Sequence, residues 1–398
     1  MDKNIEQQID EILTRGVEKI YPSKEELKKV LMSGKKIKLY CGYDPTAKSL
    51  HIGNAISINK LGQFQKLGHE VVFLIGDFTG MIGDPTDKSA ARKKLTREEA
   101  LENSKNYQKQ ASGYLKFDGE NPAEALFNSE WSDKLTFKDL IEVASNFTAQ
   151  QMFQRDMFQE RIKNEKPIYL HEFLYPLAQA HDSVVLDVDL EIGGNDQMFN
   201  MLCGRDLMKA TKNKEKFVLT MKLLADENGK KMGKTEGNVV NLDETPENMF
   251  GQVMAWSDGL IAPGFELCTN IPMEELKEID PKNNPRDAKL RLAHEITKIN
   301  HGEEKAKAAQ EYFVNTFSKK ETPQEVAEFV VEGESMKVVE LLVKSGNATS
   351  LSDARRKIEQ GGVSIKEEKI TDPQTMITKD FDGSVVKVGK FGFVKIKF

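Results

Sequence analysis

The stretch KIKLYCGYDPTAKSLHIGNAISINKLGQFQKLGHEVVFLIGD constrains this chain more than any other. KIKLYCGYDPT reads as a buried strand that ends in a turn, with Asp44-Pro45 as the breaker. Residues 53–68 space their apolar side chains as a helix does and stop near Gly68. HEVVFLIGD is then a continuous apolar strand, followed by the polar, basic loop GDPTDKSAARKK. Strand, helix and strand in that order predict a right-handed parallel crossover, the unit from which nucleotide-binding sheets are built.

Elsewhere the pattern is less compact. Ile5, Ile9, Leu13, Val17 and Ile20 recur at helical spacing and predict helix over residues 1–34. Strands and helices alternate again through VVLDVDLEIGG and FVLTMKLL. Residues 245–330 read as mostly helical, broken by DPKNNPRD and SKKETPQE. The last stretch turns to short β-like runs (VSI, SVVKV, FVKIKF) after a helix containing DARRKIEQ.

A chain of 398 residues has room for two or three cores. No apolar run reaches the roughly 18 residues of a membrane span, and MDKNIEQQIDEILTRG has no basic-then-apolar signal pattern. Cys41, Cys203 and Cys268 lie far apart and form no CxxC pair. That argues against structural zinc or a disulfide framework and fits a reducing cytoplasm. Net charge is −6, unevenly spread: residues 335–398 hold 12 Lys+Arg against 8 Asp+Glu, which is +4 there and −10 elsewhere. A basic module on an acidic body fits a polyanionic partner, although an ordinary solvated surface accounts for the charge equally well.

Four segments carry chemistry. Asp44 to Asn54 spans a strand end and a helix start, where free backbone N–H groups and the helix dipole favour phosphate. There Thr46 and His51 can donate and Gly53 admits a nucleotide ring; a capping or surface histidine is the plainer alternative. Lys230-Lys231-Met232-Gly233-Lys234-Thr235 suits a mobile loop closing on polyphosphate, against the alternative of a solvated basic loop. It is not a P-loop, since only three residues separate Gly229 from Gly233. Tyr175, Gln179 and Asp182 share one helix face, among apolar neighbours, with Tyr175 at the entrance because Pro176 must sit near a helix start. They are either an exposed stripe or polar groups awaiting a ligand. Gly193-Gly194-Asn195-Asp196-Gln197 follows a strand, where an acid can hold ribose hydroxyls.

Taken together these motifs resemble the class I aminoacyl-tRNA synthetases. LYCGYDPTAKSLHIGN, GDFTGMIGDPTDKSAARKK, YPLAQAHDS and EIGGNDQMFN resemble the tyrosyl-tRNA synthetases of bacterial type, and NPRDAKLRLAHEI resembles that family's helical domain. NATSLSDARRKIEQGGVSI resembles the S4 RNA-binding module. The resemblance implies an α/β fold: a Rossmann-like parallel-sheet catalytic domain over 1–240, a helical anticodon-side domain over 241–330 and a small S4-like α+β domain over 335–398. It implies tyrosine, ATP with Mg²⁺ and tRNA(Tyr) as partners, a homodimer, and no zinc, tightly bound cofactor or membrane.

By the same resemblance, Tyr40 and Asp182 hold the substrate phenol. Tyrosyl-tRNA synthetases are themselves the reference case for rejection of phenylalanine by unpaired hydroxyl partners, without editing. Asp84, Tyr175 and Gln179 are expected at the ammonium, and Asp44 and Gln197 beside the reacting carboxylate and ribose. Thr46 and His51 fall to the phosphates, Gly194 and Asp196 to the ribose. Cys41 falls to the ribose or is simply a small buried strand residue. Lys88 and Arg92 join Lys231, Lys234 and Thr235 on pyrophosphate, and Arg355, Arg356 and Lys357 meet RNA. Asn54 departs from the family signature, which ends in a second histidine; its amide can supply a donor at nearly the same place. His181 stands where the family often has tyrosine and is given no role. The implied reaction needs no general base: the tyrosine carboxylate attacks the α-phosphorus in line, and positioning plus charge neutralisation do the rest. Two rivals remain. A tryptophanyl enzyme is disfavoured by Tyr40, Asp182 and the S4-like tail, and a non-catalytic RNA-binding relative by the presence of His51, Lys231 and Lys234.

Overall fold

The structure, a computed structural model, describes residues 3–85, 95–225, 239–318, 326–331, 333–366, 368–389 and 392–398. The chain forms two compact units, Met1–Lys307 and Ala308–Phe398.

The first unit is built on a six-stranded sheet: β1 (Val17–Tyr21), β2 (Lys38–Tyr43), β3 (Glu70–Ile75), β4 (Glu124–Phe127), β5 (Leu190–Gly194) and β6 (Phe217–Met221), in the order β1-β6-β5-β2-β3-β4. All neighbours are parallel except β1, which runs antiparallel to β6 at the edge. The β3 and β5 runs are apolar because helices cover the inner strands on both faces, and Val71 to Ile75 and Leu190 to Gly193 are buried. A parallel crossover is present, as expected: β2, helix Ile52–Lys66 and β3 follow one another, and β2 pairs in parallel with β3 from Lys38↔Glu70 to Tyr43↔Ile75.

That crossover goes to one side of β2, whereas β5 lies on its other side. Between them the chain makes a long helical excursion from Ser129 to Leu186, ending in helix Leu174–Leu186. The carboxyl ends of β2 and β5 therefore flank a topological switch point, where open α/β sheets leave a crevice.

The N-terminal expectation is corrected. Residues 1–34 do not form one helix: Lys3–Ile12 and Lys24–Met32 are helical, and β1 runs between them. Val17 and Ile20 fit a helical spacing, but a turn at Thr14–Gly16 breaks the helix first. The backbone of Val17 to Tyr21 then pairs with β6. The VVL of VVLDVDLEIGG is likewise the end of helix Leu174–Leu186, and only LEIGG is strand. The helical expectation for 245–330 holds through Pro246–Met254, Ile261–Cys268, Pro285–His301 and Glu303–Phe313, and fails at its end, where Glu328–Val330 is a strand paired with Lys395–Lys397.

The second unit carries β7 (Glu328–Val330), β8 (Ser335–Lys337), β9 (Val363–Ile365), β10 (Glu368–Ile370), β11 (Met376–Thr378), β12 (Val385–Val388) and β13 (Gly392–Lys397). Five of these form a sheet in the order β10-β9-β12-β13-β7, with β7 parallel to β13, and β8 pairs with β11. Helices Val338–Lys344 and Leu351–Glu359 add Leu341, Leu342, Ala354 and Ile358 to a core shared with Val363, Ile365, Val386 and Ile396.

Candidate functional site

At the end of β2 the chain turns at Asp44-Pro45 and enters helix Ile52–Lys66 through a capping box. His51 is the N-cap; its Nδ1 accepts the Asn54 amide N–H at 3.3 Å, and Asn54 Oδ1 accepts the His51 N–H at 3.0 Å. The capping role weighed for His51 is thus real, and it has a chemical consequence. With Nδ1 used as acceptor, the neutral ring carries its proton on Nε2, a donor. A side chain at Gly53 would put its Cβ 3.0 Å from His51 Cε1 and Nδ1, so the glycine gives the imidazole its place.

The loop before the cap is held by side chains of two successive short helices, Arg97–Ser104 and Tyr107–Ala111. Asn103 Nδ2 donates to Pro45 O at 2.8 Å, Tyr107 Oη to Ala47 O at 2.6 Å, and Gln110 Nε2 to Lys48 O at 3.2 Å. Gln110 Oε1 also accepts the Leu50 N–H at 2.7 Å. On the far side, the Ile52 N–H donates to Val240 O and the Leu242 N–H to Leu50 O, both at 2.9 Å, so segment 239–243 is stapled alongside His51. Lys88, Arg92, Lys231, Lys234 and Thr235 lie outside the described residues.

Tyr175, Gln179 and Asp182 do share one face of helix Leu174–Leu186, and the face is inward: Tyr175 and Asp182 are buried and Gln179 half-buried. Pro176 sits in the first turn, where its missing N–H costs nothing. Asp182 accepts from Trp131 Nε1 at 2.8 Å and Asn128 Nδ2 at 3.2 Å. Asn128 also donates to Thr79 Oγ1 at 3.0 Å, and Thr79 to Asp44 Oδ1 at 2.6 Å. Tyr175 Oη donates to the other Asp44 oxygen at 2.8 Å. One hydrogen-bonded chain therefore runs Asp182–Asn128–Thr79–Asp44–Tyr175. Tyr40, from β2, closes the pocket with its hydroxyl 2.9 Å from Ser183 Oγ.

Burial dominates the electrostatics. Burial pushes the Asp182 carboxyl well above the usual range, opposed by its Trp131 and Asn128 donors. Burial raises Asp44 to about 7, opposed by Thr79 and Tyr175 and assisted by the charges of Asp84 and Asp77. Burial also holds the Tyr40 and Tyr175 phenols well above their ordinary value, so both remain protonated. Asp182, buried, with Asp44 and Asp84, half-buried, makes a site that gains from a cationic guest.

Asp84 accepts from Gln197 Nε2 at 2.6 Å and has the Arg155 guanidinium 3.9 Å away, while Asn200 Nδ2 donates to Gln197 Oε1 at 2.9 Å. Gly194 ends β5 beside Asp196, whose Oδ1 would lie 2.4 Å from a Cβ built there. Thr46 lies on the loop between β2 and His51. Cys41 is buried beside Tyr43 and Ser57, and burial lifts its thiol to about 11. In the second unit Arg355 and Arg356 are exposed, Arg356 pairs with Asp353 at 2.7 Å, and Lys357 is tied to Asp353 and to Asn347 O.

Two family models match. Residues 32–318 match the class I tRNA synthetases (W and Y), and residues 319–391 the tyrosine–tRNA ligase SYY-like C-terminal domain. The tyrosine–tRNA ligase of Carboxydothermus hydrogenoformans is 43% identical over 98% of this chain and 97% of its own length. That of Thermotoga maritima is 44% identical over 97% and 96%. The chain belongs to the tyrosine–tRNA ligase family. A C-terminally truncated mitochondrial tyrosyl-tRNA synthetase of Aspergillus nidulans shares the fold, with a TM-score of 0.66 at 21% identity over 79% of this chain and 98% of that one.

Within this tyrosine–tRNA ligase fold, the described segments 44–54, 175–182 and 193–197 lie at the switch point, and helpers that sequence reasoning missed hold them there. Trp131, Asn128 and Thr79 support Asp182 and Asp44. Asn103, Tyr107 and Gln110 hold the loop that carries Thr46. The last three did offer a signal, a polar stripe at helical spacing in LENSKNYQKQ, but nothing local names its target.

Proposed function

We propose that this cleft activates tyrosine with MgATP to tyrosyl-adenylate and pyrophosphate, and that the tyrosyl group then passes to the terminal ribose of tRNA(Tyr). The observation that carries the reading is the buried chain from Asp182 to Tyr175. It supplies an acceptor for a phenol O–H at one end and a cluster of acids for an ammonium at the other, the two polar ends of tyrosine.

In this reading Asp182 and Tyr40 take the phenol, and Asp84, Tyr175 and Gln179 the ammonium. Asp44 and Gln197 border the reacting carboxylate. Nε2 of His51, Thr46 and the helix N-terminus face phosphate. Gly194 and Asp196 hold the ribose, Cys41 backs it, and Asn54, its Oδ1 fixed by the cap, turns its NH₂ outward as the donor that a second histidine would give. Lys88, Arg92, Lys231, Lys234 and Thr235 neutralise the leaving pyrophosphate. Catalysis is then orientation and charge neutralisation of an in-line displacement. The three-part division into 1–240, 241–330 and 335–398 belongs to the same reading, with Arg355 and Arg356 on the RNA side and Lys357 held back by Asp353 and the Asn347 carbonyl. ATP–pyrophosphate exchange tested with each of the twenty amino acids decides the matter; exchange driven by an amino acid other than tyrosine would overturn it.

Asp44 gives the reaction a pH signature. Its folded-state value, about 7, lies above the ordinary carboxyl value. The folded chain therefore holds a proton that the unfolded chain has lost, and this group's contribution to stability declines as pH rises from about 4 to about 7. Binding runs the other way: Asp44 accepts from Tyr175, one of the groups that take the ammonium, so it lies within reach of that cation as well as beside the reacting carboxylate, and the cation prefers the ionised form. Tyrosine affinity should therefore increase from pH 6 to pH 8, with proton release on binding near neutrality. Calorimetric titrations across that interval should show the slope, and Asp44→Asn should flatten it. A variant with an unchanged slope would exclude Asp44 as the group.

The reading includes a homodimer in the cytoplasm. Phe137, 78% exposed, and Ile141, 54% exposed, share a helix face, and Leu170 is 84% exposed. Apolar side chains so bare are suited to cover by a second copy, and the mass of the chain in solution checks the point. Among the described residues no helix is long and apolar enough to cross a membrane.

A further inference from the structure

Beneath the pocket, hydrogen-bonded to Gln179 and through Ser183 to Tyr40, lies an ion pair that the reaction does not use. Glu191, on β5, and Lys216, just before β6, are 2% and 0% exposed and in contact. Gln179 Nε2 donates to Glu191 Oε1 at 2.9 Å. Lys216 Nζ contacts the other Glu191 oxygen and donates to Ser183 Oγ at 2.8 Å; Ser183 in turn meets Tyr40. The pair occupies a notch cut for it: a Cβ on Gly204 would lie 2.5 Å from Lys216 Nζ and 2.7 Å from Ser183 Oγ.

An isolated buried ion pair seldom adds stability over apolar residues of the same volume, so its presence under a binding pocket calls for a chemical reason. The reason follows from the donor inventory. A glutamine amide can flip, and offers either two N–H donors or a carbonyl acceptor in nearly the same space. Only the carbonyl can receive an ammonium. A carboxylate accepts and never donates, so Glu191 fixes the NH₂ end of Gln179 against itself. A protonated lysine donates and never accepts, so Lys216 presents only donors to the second Glu191 oxygen and to Ser183. A glutamine at 191 could turn together with Gln179 and keep their bond in either sense; the anion removes that freedom.

We infer that Glu191 and Lys216 are positioning residues for amino-acid recognition: the pair locks the Gln179 amide with its carbonyl toward the cleft, and so selects a substrate bearing an α-ammonium. The inference rests on the reading of Gln179 as an ammonium acceptor.

The test compares L-tyrosine with 3-(4-hydroxyphenyl)propionate, which lacks the amine and keeps the phenol and carboxylate. Since removal of one buried charge leaves the other stranded, the informative variant is the double replacement Glu191→Gln/Lys216→Met, which keeps both volumes and no lone charge. The ratio of the two dissociation constants should fall about tenfold in the double variant, the worth of one hydrogen bond to a charged group. The desamino ligand alone should bind as before. Gln179→Met should lower the ratio similarly, and combining it with the double variant should add little, because all three act through one contact. Equal weakening of both ligands would make the pair a structural prop and overturn the inference. So would an unchanged ratio in the double variant beside a lowered one in Gln179→Met, which would leave the reading of Gln179 standing. An unchanged ratio in Gln179→Met would remove that reading, and the inference with it.

Discussion

Replacing Asp182 by asparagine should lower kcat/KM for tyrosine in ATP–pyrophosphate exchange by about 100- to 1000-fold, ~3–4 kcal/mol, with KM for ATP nearly unchanged. Asp182 is surrounded by donors. Trp131 Nε1 reaches one oxygen and Asn128 Nδ2 the other. Indole N–H can only donate, and the Asn128 amide is fixed as donor on that side because its Oδ1 accepts the Phe78 N–H at 2.9 Å. An asparagine at 182 must therefore turn its own NH₂ toward one of two donors, and the phenol meets a weakened acceptor. Two effects add: loss of the hydrogen bond that the carboxyl accepts from the phenol and a buried donor left unpaired. Discrimination against phenylalanine should collapse in parallel, because phenylalanine never had the bond to lose. A melting temperature close to the parent's would show that the loss is local. A variant within about threefold of the parent in kcat/KM for tyrosine would take Asp182 out of the pocket.

Why was this residue readable from sequence when its supports were not? Tyr175, Gln179 and Asp182 stand four and three residues apart, and helical geometry alone places them on one face. The same holds for the loop from Asp44 to Asn54, whose order of strand, breaker and helix start is written contiguously. Trp131 and Asn128 reach Asp182 across more than fifty positions, and only the sheet brings them together. Glu191 and Lys216 sit in apolar strand surroundings where a charge reads as an exception without a partner. The misreading of residues 17–21 has the same cause. Their backbone conformation is decided by β6, two hundred residues on, and a local period has no access to it. Cap chemistry was legible only in outline: histidine is an uncommon N-cap, and its pairing with Asn54 became visible with the side-chain geometry.

Removing residues 326–398 should leave tyrosine-dependent ATP–pyrophosphate exchange within about twofold of the parent and reduce tRNA charging by at least about 100-fold, ~3 kcal/mol of RNA contact. The cut is placed by the fold. Ending the chain at 335 would strand β7, which pairs with β13 and belongs to the second unit's sheet. That unit has its own apolar core, from Val338 through Ile358 to Ile396. Its surface carries the local excess of positive charge. Lys344, Arg355, Arg356, Lys366, Lys369 and Lys387 are all exposed, whereas Lys357 is spent on Asp353 and the Asn347 carbonyl. Contacts of this kind grip phosphate and release counterions, so the charging advantage of the full chain should fall linearly on a log–log plot against salt. Arg355→Ala should weaken charging more than Lys357→Ala weakens it through RNA, and Lys357→Ala should instead lower the melting temperature of the second unit. A stabilising cap would behave differently: exchange and charging would decline together, with thermal stability, at every salt concentration. Equal losses in the two half-reactions after truncation would therefore assign the second unit to stability and withdraw it from RNA.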